Sequence, residues 1–286
     1  MHASFGFGRG TSPARGGCGG WTTLILRSLA YRTDLIFPAF DGEIIDRGRY
    51  LVIRTPSNPT FYWGNFLLFE GPPAPGDDER WLRLFVEEIG APPLVRHQTF
   101  GWDSPEGDAG AAQAFADRGF QLIHSSVLTA SDVAAPPHEA TAVVVRPLES
   151  DDDWRQAIEN QIRCRGPEHD EAGYRLFKEA QMKRYRAMEQ AGRGAWFGAF
   201  LDRTLVADLG IYHSENLGRF QSVETHPDYR RRGYAGSLVY QASRHALGQM
   251  GLGTLVLVAD AGSPAESLYR SVGFLPTERQ VGLERW

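Results

Sequence analysis

The chain has 286 residues, 42% hydrophobic and 23% charged, and a net charge of −5. That profile excludes an intrinsically disordered chain, and the acidic balance argues against a protein built to coat nucleic acid. Cys18 and Cys164 are too few for a disulfide framework and lie outside any CxxC or Cys/His cluster, so free thiols and no metal are expected.

No stretch approaches about 18 consecutive apolar residues, so no membrane span is expected. The opening "MHASFGFGRGTSPARGGCGG" has no apolar h-region and does not read as a signal peptide. Residues 1–20 read as a flexible tail of a cytoplasmic protein. Their "GFGRG" lacks the preceding strand of a phosphate loop and reads as a glycine-rich linker.

"TLILRSLAY" (Thr23–Tyr31) is a short apolar helix or strand. "RYLVIRT" (Arg49–Thr55) and "TFYWGNFLLFE" (Thr60–Glu70) are rich in aromatic and β-branched residues and predict two strands joined by "PSNP". Asp77 or Asp78 caps a helix through "ERWLRLFVEEIG". "PLVRHQTFGWD" predicts a strand, "GDAGAAQAFADRGF" a short helix and "QLIHSSVLTA" another strand. The Pro/Ala-rich "SDVAAPPHEA" (Ser131–Ala140) marks the domain boundary, which gives a first domain over 21–135 and a second over 141–286.

The second half opens with "TAVVVRPL" as strand, a helix from Glu149–Asp153 and a longer helix over His169–Gln190. "GAWFGAFL", "TLVADLGIYH" and "GRFQSVETH" follow as strands. "HPDYRRRGYAGSL" (His226–Leu238) then starts a helix whose Leu238, Ala242, Ala246 and Met250 form one buried stripe. "GTLVLVAD" is a strand, "SPAESLYRSVGF" a helix capped by Ser263, and "LPTERQVGLERW" the last strand. The order β-α-α-β-β-β-α-β-α-β predicts an α/β (α+β layered) fold with helices covering a sheet.

The halves echo one another. "LFEGPP" (Leu68–Pro73) matches "SVETHP" (Ser222–Pro227), and "AAQAFADRGF" (Ala111–Phe120) matches "AESLYRSVGF" (Ala265–Phe274). Leu68 and Ser222 are 154 residues apart, as are Ala111 and Ala265. A shared offset points to tandem duplication.

The three consecutive arginines sit where a strand passes into a helix. The first N–H groups of a helix lack intrahelical partners and lie at the positive end of its dipole, a setting that takes phosphate. Gly233, Ala235 and Gly236 would let a phosphate approach the backbone, and arginine adds charge-assisted hydrogen bonds. A basic, solvated helix start is the alternative. There is no Walker-type G-x-x-x-x-G-K-[ST] and no G-x-G-x-x-G here.

Arg230-x-x-Gly233-x-Ala235, with "AESLYRSVGF" downstream, resembles the signature of the GNAT superfamily, the acyl-CoA-dependent N-acetyltransferases. The resemblance covers about residues 141–286 and implies a mixed, mostly antiparallel sheet flanked by helices, with two such domains in tandem. It implies acetyl-CoA as co-substrate, no metal, and a primary amine as acceptor: a small metabolite, an antibiotic-like amine, or a protein N-terminus or lysine. The backbones of Val223 and Thr225 would meet pantetheine; Arg230, Arg231, Arg232, Gly233, Tyr234, Ala235, Gly236 and Ser237 would surround the pyrophosphate. Where many members carry an Asn after the fifth strand this chain has Gly262, with Asp260 nearby.

Glu224, at the end of that strand, is the candidate general base, with His226 its rival. Tyr269 is the candidate acid for the departing thiolate, and a backbone N–H near Val223 or Thr225 the oxyanion donor. Core packing is the plainer reading of Tyr269, and a solvated strand end that of Glu224.

In the first half the arginine loop is replaced by the acidic "PGDDERW" (Pro75–Trp81), and Tyr269 by Phe115. That half reads as a degenerate copy that shapes the acceptor site, with Glu70 retained opposite Glu224. Arg163, Arg165, His169 and Tyr174 are acceptor-side candidates by location alone. A non-catalytic acyl-CoA-binding regulatory or interaction protein is the alternative, and a homodimer is left open. No nucleic-acid or membrane partner is expected.

Overall fold

A computed structural model describes residues 24–286 apart from Glu168. The tail over 1–20 and Cys18 lie outside the described residues. Among the described residues no helix is long and apolar enough to cross a membrane.

The first half comprises α1 (Leu29–Asp34), α2 (Pro38–Asp41), β1 (Glu43–Asp46), β2 (Tyr50–Arg54), β3 (Phe66–Phe69), α3 (Asp77–Glu88), β4 (Gln98–Trp102), α4 (Gln113–Ala116) and β5 (Gln121–Ala130). The second comprises β6 (Val144–Pro147), α5 (Asp151–Arg163), α6 (Glu171–Gln190), β7 (Gly194–Leu201), β8 (Thr204–Ser214), β9 (Leu217–Thr225), α7 (Tyr234–Gly248), β10 (Thr254–Asp260), α8 (Pro264–Ser271) and β11 (Leu275–Arg285). The predicted order of the second half is reproduced. In the first half α2 and β1 carried no legible pattern. The aromatic run splits into a 3₁₀ turn over Tyr62–Gly64 and the short β3, because Asn65 leaves the strand to bond back to Asn58 and Phe61 carbonyls.

Among the described residues, the eleven strands form one sheet, in the order β1-β2-β3-β4-β11-β5-β10-β9-β8-β7-β6. The order is nearly a palindrome about the β11–β5 pair. Moving outward on either side, the first contact is antiparallel (β11–β4, β5–β10), the second parallel (β4–β3, β10–β9), and the rest antiparallel. Each half therefore sends its last strand across to the other. β5 pairs with β10 along Ser125–Ala130, and β11 with β4 along Gln98–Gly101.

The duplication is clearest at this crossover. In both halves a short helix ends at a glycine of positive φ (Gly119, 85°; Gly273, 102°). The N–H of the next Phe then bonds back to the helix: Phe120 to Phe115, and Phe274 to Tyr269, each at 3.1 Å. Only glycine adopts that backbone without strain. The strand-end echo is looser. Phe100 and Thr254, 154 apart, pair with Leu67 and Leu217, which are 150 apart. By register Glu70 therefore corresponds to Phe220 and not to Glu224. Glu70 lies past the end of β3, half exposed and ion-paired to Arg49 at 2.8 Å.

Three of the four residues of the predicted α7 stripe are buried: Leu238, Ala242 and Ala246 are inaccessible and pack with Phe220, Val272 and Phe274, whereas Met250 lies past the helix end at Gly248 and is only partly buried. Burying such a stripe stabilises by about 1.5–3 kcal/mol per large apolar side chain. The opposite face of the second half is covered by α5, α6 and, from the first half, α2's lead-in. There Ile36 and Phe37 enter a cluster with Trp154, Tyr185, Trp196 and Tyr212. Arg219 on β9 ties this lead-in down, donating to the Ala30 carbonyl at 3.0 Å and pairing with Asp34 at 2.8 Å.

Candidate active site

After β9 the chain makes a 3₁₀ turn at Pro227–Tyr229, then passes through Arg231 (φ 60°) and Gly233 (φ 80°) into α7. The N–H groups of Arg231, Arg232, Gly233, Tyr234, Ala235 and Gly236 have no acceptor among the described residues. Arg231 and Arg232 are exposed beside them. Arg232 is steadied by the Asp228 carbonyl at 3.1 Å and by the Tyr229 ring, and Arg230 donates to the Thr225 carbonyl at 3.1 Å. Tyr234 and Ser237 point inward: Tyr234 joins the core, and Ser237 Oγ accepts from Ala140 N–H at 2.7 Å.

The small residues here have a second cause that spacing alone did not reveal. The segment between the halves lies across the start of α7. A Cβ on Gly233 would meet the His138 carbonyl at 2.7 Å, and one on Gly236 the Pro136 side chain at 3.2 Å. The space at these two positions belongs to that segment, and their smallness is not evidence of a ligand.

α3 is the counterpart of α7, and also begins at a left-handed glycine, Gly76 (φ 86°). Its first turn carries Asp77, Asp78 and Glu79, and Asp77 accepts from Ala74 N–H at 2.9 Å. The helix start is thus closed by its own carboxylates, which disfavour an anion there. Aligned on these glycines, the arginines are replaced by Pro73, Ala74 and Pro75.

β9 and β10 pair only over Leu217–Arg219 and Thr254–Val256. Beyond that β10 turns to β5, and a cleft opens beside Gln221–Thr225. A β-bulge lies at its apex: Asp208 and Gly210 of β8 face Glu224 and Gln221, and Ser222 adopts φ 48°. Asp202 and Glu215, which also have positive φ, sit in hairpin turns; Ser222 and Arg231 are bent away from any hairpin. The bulge turns Glu224 toward α5 and α6.

There Glu224 meets groups that had no motif. Lys178 of α6 is 5% exposed and donates to Gln181 Oε1 at 2.9 Å and Ser222 Oγ at 3.3 Å. Burial lowers its ammonium to about 8, against the opposing charges of Glu224 and Asp208. Burial raises the Glu224 carboxyl, while Lys178 draws it down. Asp208 is inaccessible and accepts from Asn160 at 2.7 Å, Gln161 at 2.6 Å and Trp196 Nε1 at 3.1 Å. Burial pushes it up to about 7 in spite of those donors. Cys164 donates to the Thr225 carbonyl at 3.3 Å, and burial pushes its thiol up to about 12, so it is not a nucleophile. Sequence alone showed these side chains only as members of amphipathic helices and a strand; their convergence is tertiary.

Asp208→Leu is expected to destabilise the fold by about 2–4 kcal/mol in urea unfolding, because three buried donors lose their acceptor. The folded-state Asp208 holds its proton more tightly than the unfolded chain, so its contribution falls as pH rises from the ordinary carboxylate range toward 7. The variant should lose that decline.

The His226 ring meets two donors, the Arg163 guanidinium 2.6 Å from Nε2 and the Asp228 N–H 3.3 Å from Nδ1, which compete for the one acceptor nitrogen of a neutral imidazole. Its acceptor is thus contested, and it is placed as a turn residue. Arg163 is thereby committed, and Arg165 pairs with Glu171 at 2.9 Å. His169 stacks on Tyr174 at 5.4 Å. Tyr269 packs in the core on α8, and its hydroxyl has no hydrogen-bond partner among the described residues. Burial, then the charge of Glu224, holds that phenol above its usual range. Phe115, its counterpart, is fully buried. Gly262 donates its N–H to Glu266 at 2.7 Å. No cluster able to hold a metal occurs among the described residues.

Residues 154–274 match the model of the acetyltransferase (GNAT) family. No curated protein matches the chain. Among solved structures, a GCN5-related N-acetyltransferase from Kribbella flavida superposes with a TM-score of 0.61 at 16% identity, covering 90% of this chain and 96% of that one. A conserved protein of unknown function from Staphylococcus epidermidis gives 0.61 at 16% identity, over 86% and 94%. A tandem GNAT protein from the clavulanic acid pathway gives 0.51 at 14% identity, over 84% and 82%. Residues 154–274 are thus a domain of the acetyltransferase (GNAT) family, within a chain whose fold is shared with a tandem GNAT protein.

Proposed function

We propose that the protein is an N-acetyltransferase that moves acetyl from acetyl-CoA to a primary amine by direct attack, with chemistry confined to the second half. The observation that carries this reading is the run of six unpaired N–H groups between Arg231 and Gly236, placed where β9 has opened from β10. Arg230 and Ser237 act as supports of that loop, and the exposed arginines supply charge. Pyrophosphate would meet those N–H groups, and pantetheine the free edge of β9 at Val223. Thr225 contributes less, since its carbonyl already serves Cys164 and Arg230.

The amine lone pair forms the N–C bond at the thioester carbonyl, and the C–S bond breaks. Glu224 takes the proton that the amine must lose, directly or through water. Burial makes it a stronger base, and Lys178 favours its ionised form. Tyr269 returns a proton to the thiolate. A N–H near the bulge holds the oxyanion.

Thiol release from acetyl-CoA across an amine panel tests the reading. Tyr269→Phe should lower kcat by about tenfold to a hundredfold with little change in coenzyme A affinity, since a thiolate leaves readily and needs only part of the usual acid assistance. Coenzyme A binding without turnover on any amine would instead favour a non-catalytic acyl-CoA-binding protein.

A further inference from the structure

A cavity of about 560 Å³ lies between the two halves, within the size range of small-molecule sites. Its sheet side runs from Gln221 and Val258, at the β9–β10 opening, to Gly282 and Glu284 on the exchanged strand β11. Phe61 and Trp63 of the first half line its far end.

Five charged residues line it: Asp34, Arg184, Arg219, Asp260 and Glu284. Arg219 is neutralised by Asp34 at 2.8 Å, and Arg184 by Asp41 at 2.7 Å. Asp260 and Glu284 have no Lys or Arg ion-pair partner among the described residues. Burial raises the Glu284 carboxyl, the Trp63 hydrogen bond lowers it, and the charge of Asp260 raises it against a smaller opposing effect of His169. The far end is therefore negative.

It is also constructed. A Cβ on Gly282 would come within 2.4 Å of Trp63, so the indole rests on the sheet only because this position is glycine. From there Trp63 Nε1 donates to Glu284 Oε2 at 2.9 Å and fixes the carboxylate. A fixed carboxylate beside an indole ring, in a partly desolvated cavity, suits an ammonium group by charge and by cation–π attraction.

We propose that the acceptor carries a second cationic group, as a diamine or polyamine does, and that Glu284, Asp260 and Trp63 hold it while the first amine reaches the β9–β10 opening. This deepens the acetyl-transfer reading and rests on it. A neutral tail forgoes the charge interaction, and an anionic tail is repelled.

The test compares kcat/KM for cadaverine, pentylamine and δ-aminovalerate, three chains of similar length ending in a cation, a methyl group and an anion. Cadaverine should exceed pentylamine by about tenfold or more, with δ-aminovalerate poorest. Glu284→Gln keeps an acceptor for Trp63 and should bring the cadaverine-to-pentylamine ratio toward one; Asp260→Asn should lower it, and Glu284→Asp should largely retain it. Equal use of cadaverine and pentylamine, or a preference untouched by Glu284→Gln and Asp260→Asn, overturns the proposal while leaving acetyl transfer standing. Absence of turnover on every amine defeats the acetyl-transfer reading instead. Calorimetry with cadaverine and coenzyme A then decides the cation site separately: binding weakened about tenfold by Glu284→Gln supports it, and equal binding by both proteins overturns it.

Discussion

Glu224→Gln is expected to lower kcat/KM by about two to four orders of magnitude, the range associated with a positioned general base. Gln keeps the shape of the side chain and loses only its capacity to take a proton, so coenzyme A affinity should change little. In the wild type, kcat/KM should fall as pH drops through the raised pKa of Glu224, since the base works only when ionised. Lys178→Met supplies a second reading of the same group. Removing the cation that favours the ionised carboxylate should move this acid limb to higher pH. Asp208, Cys164 and Arg230 also act on the cluster and stay in place in that variant. A Glu224→Gln enzyme within a few-fold of wild type at every pH would remove Glu224 from the mechanism.

A chain ending at Phe274 is expected not to fold. β11 has neighbours on both sides, β4 and β5, so its loss divides the sheet and strips backbone partners from both halves. Leu283 and Val281 on that strand are buried in the first half's core, and the Tyr31 hydroxyl donates to the Val281 carbonyl at 2.9 Å. Residues 141–286 alone should fail for the matching reason, since β10 would lose β5 along six residue pairs. Circular dichroism and size-exclusion chromatography would report the outcome: both fragments unfolded or aggregated when expressed singly. A monomeric, cooperatively melting 141–286 fragment would show that the exchanged strands are dispensable.

Much of the second half was legible because its signals are local. The stripe on α7, the Ser263 cap and the glycine at 273 each act within a few residues of their own position. The first half was harder to read. β1 and α2 are four residues each, too short to show a period, and the aromatic run around Trp63 had the composition of a strand, which Asn65 breaks.

The sequence by itself determined the order of elements in the second half, the resemblance carried by Arg230 to Ala235 and by "LYRSVGF", and the contrast between a basic and an acidic helix start. All are set by neighbours along the chain, through helix dipoles, caps and side-chain periodicity. Tertiary structure alone decided that the halves exchange their last strands, that the intervening segment fills the space beside Gly233 and Gly236, and that Lys178, Asp208 and Cys164 gather around Glu224. These depend on pairing and desolvation between residues tens to more than a hundred positions apart. A lysine on an amphipathic helix carries no mark in the sequence of whether water or a buried carboxylate will lie opposite it.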